Sequence, residues 1–282
     1  MPRLDWARDG RSWPHHQASR FLRAGETSWH VQIMGDGPEI LLVHGTGASA
    51  HSWSRIMPLL AERFTVIAPD LPGHGFSDAA SALDLSLPGM VRSFSALLSV
   101  LDARPKIVVG HSAGAAVLAQ MILEERIGPE RLVSINGAFM PFKGMAAHVF
   151  PPIAKALIWN PLVPQAVSWA ASDRKAVRRL IDGTGSKLDQ ASLDLYHRLF
   201  QCPGHVRATL NMMARWDLVP VLKRLPDLPV PLLLISGGRD ATVPPSDQSE
   251  IARRVPGAEL VCLAELGHLA HEEAPQEIAA LL

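Results

Sequence analysis

Gly110-His111-Ser112-Ala113-Gly114 places one hydroxyl among small residues, directly after the apolar run 107–109 and directly before the helical pattern 113–125. A strand that turns at once into a helix holds its serine in a strained backbone conformation and presents Oγ outward. Bulky residues at 110 or 114 would clash in so tight a turn. The helix N-terminus adds free N–H groups and positive dipole for developing negative charge. The pentapeptide alone is only suggestive, but between a strand and a helix it reads as a nucleophile elbow at Ser112. A second glycine-rich turn, His44-Gly45-Thr46-Gly47, follows the apolar run 40–43. In an elbow site this turn and the residue after the nucleophile supply the oxyanion donors, here the N–H groups of Thr46 and Ala113. His44 reads as a brace for its loop.

A serine hydroxyl is a weak nucleophile until a base takes its proton. The expected chain order is serine, acid, histidine. Asp240 follows the apolar run 231–235 on the turn Gly237-Gly238-Arg239-Asp240, and His268 follows the run 260–263 in Leu266-Gly267-His268. Both fall just past strand ends, in that order. The expected triad is therefore Ser112, Asp240 and His268. The competing site for the acid, after the strand that follows the elbow, holds Asn136-Gly137 and no carboxylate. Asp217 and Asp247 lie in a helical pattern and at a helix start. His271 is the competing base, one helical turn beyond His268. His74, in Asp70-Leu71-Pro72-Gly73-His74-Gly75, reads as structural. Gly183-Thr184-Gly185-Ser186-Lys187 lacks the spacing and the following helix of a phosphate loop, so no nucleotide is expected. No metal-ligand cluster and no cofactor motif appears.

These residues need a scaffold that brings strand ends together. Residues 19–24 and 28–34 read as an antiparallel pair, closed by the turn Gly35-Asp36-Gly37-Pro38. The runs 40–43, 64–68, 107–109, 132–135, 231–235 and 260–263 are continuously apolar, as strands buried on both faces are. Helical patterns over 53–62, 87–101, 113–125, 245–255 and 274–282 alternate with them. The alternation predicts a mostly parallel eight-stranded sheet flanked by helices. It breaks between about 138 and 225, where only helical patterns occur. That stretch is expected to be a helical cap inserted after the sixth strand, over a core of residues 1–137 and 226–282. Within it, Ser172 is expected to cap a helix running to Asp182, with Gly183 past its end. Residues 144–172 carry only Lys155 as an ionised side chain short of the C-terminal turn. They read as a packing face of the cap or an apolar wall for a hydrophobic substrate.

Bulk properties fit this scheme. The 282 residues carry 27 Lys+Arg and 27 Asp+Glu, 48% hydrophobic and 19% charged residues. Neutral net charge gives no attraction to nucleic acid. Cys202 and Cys262 are expected to be buried thiols, which fits a reducing, cytoplasmic compartment. The first residues lack the apolar core of a secretory signal, and no stretch suits a transmembrane helix.

The motifs together resemble the α/β-hydrolase superfamily across nearly the whole chain. A finer resemblance rests on His44-Gly45-Thr46-Gly47-Ala48-Ser49, His51-Ser52-Trp53, the elbow, Asn136-Gly137-Ala138, Asp182-Gly183-Thr184-Gly185-Ser186, Met212-Met213-Ala214-Arg215-Trp216-Asp217 and Gly267-His268-Leu269-Ala270-His271-Glu272-Glu273. These are similar to the magnesium-chelatase accessory proteins of bacteriochlorophyll biosynthesis. The resemblance implies a role near magnesium insertion into protoporphyrin, with magnesium chelatase as a candidate partner. It implies no particular reaction. Serine at the elbow sets the chain apart from the haloalkane dehalogenases and most epoxide hydrolases of this fold, which carry aspartate there. The expected activity is hydrolysis of an ester or thioester with a bulky apolar or tetrapyrrole-related part. The alternatives are a non-catalytic, porphyrin-binding accessory protein and a carbon–carbon bond hydrolase using the same triad.

Overall fold

A computed structural model describes residues 3–79, 81–141, 160 and 162–282. Eight strands form one sheet: β1 (Ser19–Ala24), β2 (Thr27–Met34), β3 (Glu39–Val43), β4 (Thr65–Pro69), β5 (Ile107–His111), β6 (Arg131–Ile135), β7 (Leu232–Gly237) and β8 (Glu259–Leu263). Their order is β1-β2-β4-β3-β5-β6-β7-β8. The first two pairs, β1·β2 and β2·β4, are antiparallel, and the rest are parallel. The eight expected strands and their mostly parallel pairing are thus present. One detail differs: the β1–β2 hairpin turns at Gly25-Glu26, where Gly25 takes a φ of 60°. Gly35–Pro38 instead leads into β3.

The helices needed below are α1 (Trp6–Asp9), α2 (Met57–Ala61), α3 (Leu87–Leu101) and α4 (Ala113–Leu123), then α5 (Val163–Ala170), α6 (Arg174–Asp182), α7 (Gln190–Phe200), α8 (Pro203–Ala214) and α9 (Val219–Arg224), and last α10 (Pro245–Arg254), α11 (Ala270–Glu273) and α12 (Pro275–Ala280). Period-two burial splits the apolar strands between two layers. Leu41, Val43, Val108 and Leu132 pack with α3, α4 and α10. Ile40, Leu42, Val109 and Val133 pack with α2 and α12. β8 departs from the expected burial: as an edge strand it is exposed or half-buried along its length, and Cys262 on it is exposed while Cys202 is buried.

Two expected helices are divided. Residues 53–62 form a 3₁₀ turn at Ala50–Trp53 followed by α2, and the C-terminal pattern is split into α11 and α12, with Pro275 at the start of α12. Helix α6 is capped by Asp173, whose side chain accepts from the Lys175 N–H, and not by Ser172. Gly183 beyond it is right-handed; the left-handed residue is Gly185.

Between β6 and β7 the described chain is helical, α5 to α9, with no strand. A third apolar cluster, including Val177, Ile181, Leu193, Tyr196 and Leu199, joins it to Trp13, Ala48 and Leu269. Most of the charge-poor stretch, 144–159 and Pro161, lies outside the described residues. Of its described remainder, Leu162 and Trp169 are exposed, Trp169 at 80%.

The strand order places the chemistry. The chain winds from β3 outward to β4 and then returns to β5 on the other side of β3. In open sheets of this kind ligands bind outside the carboxyl ends of the strands where the winding reverses, which here are the ends of β3 and β5. The His44–Gly47 turn and the Ser112 elbow lie at those two ends.

Candidate active site

Ser112 stands between β5 and α4 with φ 51° and ψ −118°, outside the regions open to most L-residues. Such a conformation costs on the order of 1–3 kcal/mol and persists only where its surroundings over-determine it. Here the Ser112 N–H donates to the Ile135 carbonyl at 3.1 Å, and its carbonyl accepts from Ala138 at 3.0 Å. The flanking glycines are sterically required, as the sequence suggests. A Cβ at Gly114 would lie 2.1 Å from the Val43 carbonyl oxygen, and one at Gly110 would lie 2.4 Å from the Ala115 nitrogen.

The β3 turn lies directly against the elbow, since a Cβ on Gly45 would come within 2.9 Å of Ser112 Cβ. Among the described residues, nothing accepts a hydrogen bond from the N–H of Thr46 or of Ala113. Ala113 is the first residue of α4, so its N–H is one of the helix's unsatisfied donors. The turn is braced by His44, which donates from Nδ1 to the Gly45 carbonyl at 2.8 Å and accepts the Leu71 N–H at Nε2. Burial pushes this imidazole down to about 3, so it stays neutral.

His205 adds a second brace that the sequence reading missed. It projects from α8, donates from Nε2 to the Gly47 carbonyl and accepts the Gly75 N–H, both at 3.1 Å. No motif marks it, because its partners are backbone groups more than a hundred residues away.

The candidate acid and base are brought together. Asp240, on the turn after β7, accepts from His268 Nδ1 at Oδ2, 2.7 Å away, and both side chains are buried. Its other oxygen accepts the N–H groups of Thr242 and Val243 at 2.7 and 2.8 Å. That leaves the carboxylate little freedom to rotate and leaves Nε2 as the open nitrogen of His268. The structure shows no hydrogen bond between Ser112 Oγ and His268, and unliganded sites are often loose at this step. The link between elbow and base runs through His111, whose Nε2 donates to the His268 carbonyl at 2.9 Å. Burial, then the neighbouring histidines, holds His111 far below the ordinary imidazole value.

Asn136, at the position where an acid was sought and none found, has a different task. With φ 48° it donates from Nδ2 to the carbonyls of Gly267 and His268 and accepts the Gly237 N–H. It ties β6 to the turns that carry both acid and base. A lone amide at the end of a buried strand was the signal available in the sequence.

His271, the competing base, is bonded elsewhere. Its Nε2 donates to Ser52 Oγ at 2.8 Å, and burial pushes it down to about 3. Ser52 Oγ donates in turn to Glu272, which also accepts the Tyr196 hydroxyl at 2.6 Å. Burial raises the Glu272 carboxyl to about 7. Asp217 accepts the Val219 N–H just before α9, and Asp247 lies in α10. His74 is buried, with Nδ1 on the Pro72 carbonyl. Among the described residues no group of three or more His, Cys, Asp or Glu side chains is placed to hold a metal ion. No described helix is long and apolar enough to cross a membrane.

Comparison with known proteins identifies the family. The model of the alpha/beta hydrolase family matches residues 40–281. A Rhodobacter capsulatus protein named as the magnesium-chelatase 30 kDa subunit is 38% identical over 273 residues, covering 96% of this chain and 95% of its own. A pimeloyl-[acyl-carrier protein] methyl ester esterase from Aeromonas hydrophila is 28% identical, covering 89% and 96%. Among solved structures, an alpha/beta hydrolase fold protein from Burkholderia ambifaria superposes with a TM-score of 0.79 at 25% identity, covering 94% of this chain and 96% of that one.

Proposed function

The chain belongs to the α/β hydrolase family, and from that premise we propose that it is a serine hydrolase of esters or thioesters. Ser112 Oγ attacks the acyl carbonyl while His268 Nε2 takes its proton. Asp240 holds the imidazole by Nδ1 and stabilises the imidazolium. The N–H groups of Thr46 and Ala113 receive the oxyanion. His268 then protonates the leaving group, and water releases the acyl group by the same route in reverse. The buried 2.7 Å bond between His268 and Asp240 carries this reading. A fluorophosphonate probe and short p-nitrophenyl esters test it. Labelling of Ser112, lost in Ser112→Ala, is expected; a folded protein that stays unlabelled rules the nucleophile out.

The R. capsulatus relative carries the name of a magnesium-chelatase subunit, which supports placing this activity in bacteriochlorophyll synthesis, on a tetrapyrrole-related or other apolar ester. We regard residues 138–225 as the cap that covers this substrate. The same name favours a second reading, in which the chain assists the chelatase or holds a porphyrin without turnover. A deletion strain complemented with Ser112→Ala separates them. Lost pigment supports hydrolysis, and full pigment supports the accessory role.

A further inference from the structure

We propose that Thr184-Gly185-Ser186, a strap supplied by the chain between β6 and β7, is a positioning element for the Asp240–His268 pair. The proposal rests on the serine-hydrolase reading and goes beyond it. It assigns to the inserted segment a part in aligning the catalytic groups, besides any part in covering substrate.

The strap touches both turns at the residues that matter. The Thr184 carbonyl accepts the N–H of Ala241, next to Asp240, at 3.1 Å, and a long bond of 3.4 Å from the N–H of His268 itself. One oxygen thus fixes the backbone of the acid turn relative to that of the base turn. Ser186 Oγ accepts the N–H of Leu269, the residue after His268, at 2.7 Å, and Ser186 is only 1% exposed. Glu273 closes the arrangement from the far side. It accepts the Gly267 N–H at 2.8 Å with one oxygen and the Lys187 N–H at 3.2 Å with the other.

Steric evidence agrees. Gly185 takes φ 85°, and a Cβ there would lie 1.8 Å from the Arg239 carbonyl oxygen. A Cβ on Gly267 would lie 2.4 Å from the Ser186 nitrogen. The strap therefore runs backbone to backbone between the two turns, with no room for a side chain on either face. The need for it follows from topology. His268 hangs beyond β8, an edge strand with a neighbour on one side only. Asn136 holds the His268 carbonyl from the sheet side; the strap holds the N–H groups on either side of that carbonyl. A displacement of about 1 Å at a catalytic group can reduce a rate by about 100-fold, so a turn on a free edge needs such support. The Asp182–Ser186 motif, which has no phosphate to bind, acquires a use here.

Ser186→Ala removes the acceptor and leaves the Leu269 N–H buried and unpaired. The readouts are the rate of fluorophosphonate labelling at Ser112, and kcat and KM for a p-nitrophenyl ester. The expected result is a fall of about 10- to 100-fold in labelling rate and kcat, with KM within about twofold. Equal labelling rates and an unchanged kcat in a folded Ser186→Ala protein overturn the strap alone. If Ser186→Ala does not fold, Glu273→Ala, which removes the acceptors of both the Gly267 and the Lys187 N–H, gives the same readouts, and no change in them is likewise decisive against the strap. An unlabelled wild type overturns the nucleophile reading and the strap with it.

Discussion

The two halves of the candidate site are held in place by different means. The nucleophile half, at the ends of β3 and β5, is built from two short contiguous stretches that press on each other directly. Gly45 meets Ser112, and Gly114 meets Val43. The acid–base half, at the ends of β7 and β8, borrows most of its support from afar, from Asn136, His111, Thr184 and Ser186, with Glu273 adding a local bond. In a parallel sheet, central strands receive neighbours on both sides, whereas edge positions need supports brought in by other chain segments. Direct backbone contact secures the centre, with His205 as its remote brace; the edge rests mainly on hydrogen bonds from other segments.

The comparison can be broken most severely at its centre. Ser112→Ala is expected to lower kcat by at least about 10³-fold while thermal unfolding stays within a few degrees of wild type. Comparable unfolding with comparable activity would mean that the elbow is not the reacting centre. Asp240→Asn leaves the shape of the second half intact but gives the imidazole the wrong tautomer. Its kcat should fall about 10³- to 10⁴-fold with KM little changed.

Stability sharpens the contrast. Gly114→Ala forces a methyl group against the Val43 carbonyl and should cost about 3 kcal/mol or more, measured by chemical denaturation. A loss under about 1 kcal/mol would show that the central half can relax. Glu272 behind the base turn has its carboxyl raised from 4.5 to about 7 by burial. A raised folded value favours the folded state fully below pH 4.5, and that advantage is lost as pH rises toward 7. Its span is roughly 3 kcal/mol. The difference in stability between wild type and Glu272→Gln should therefore change by about that amount between pH 4.5 and 7, then level off. A difference independent of pH would place the carboxyl's ordinary titration back in solvent. The smallest effect belongs outside both halves: Trp169→Ser, at a site 80% exposed, should change stability by less than about 0.5 kcal/mol.

The nucleophile half was legible because each of its requirements falls within a few residues of chain. Small neighbours, a buried strand before and an Ala-rich helix after leave Ser112 few other conformations. Asp240 and His268 stand out in the sequence by their place past strand ends, and a 2.7 Å bond joins them in the structure. The supports were not legible. Ser186 and His205 act on backbone groups of remote segments, and a hydroxyl or imidazole that bonds a main-chain N–H or carbonyl leaves no spacing rule. The strap stands out in the sequence only as a motif of the family resemblance and as a failed phosphate loop, whereas Gly185 serves close backbone approach. The β8 run looked fully buried by composition, but only its place in the strand order reveals an edge. Ser172 and Asp173 are both competent caps, and the choice between them turns on one residue of backbone geometry.

Tyr196 reaches from α7 to the Glu272 carboxyl, and it is the sole tyrosine of the chain. Burial, and then that carboxyl, hold its phenol well above the ordinary value of 10. The chain therefore carries its own label. Its phenolate absorption band is expected to appear at a higher pH than that of a free phenol while the helices between β6 and β7 stay seated on the core, and at the ordinary pH once they lift away. One ultraviolet signal, without any added dye, then reports the seating of that segment in real time.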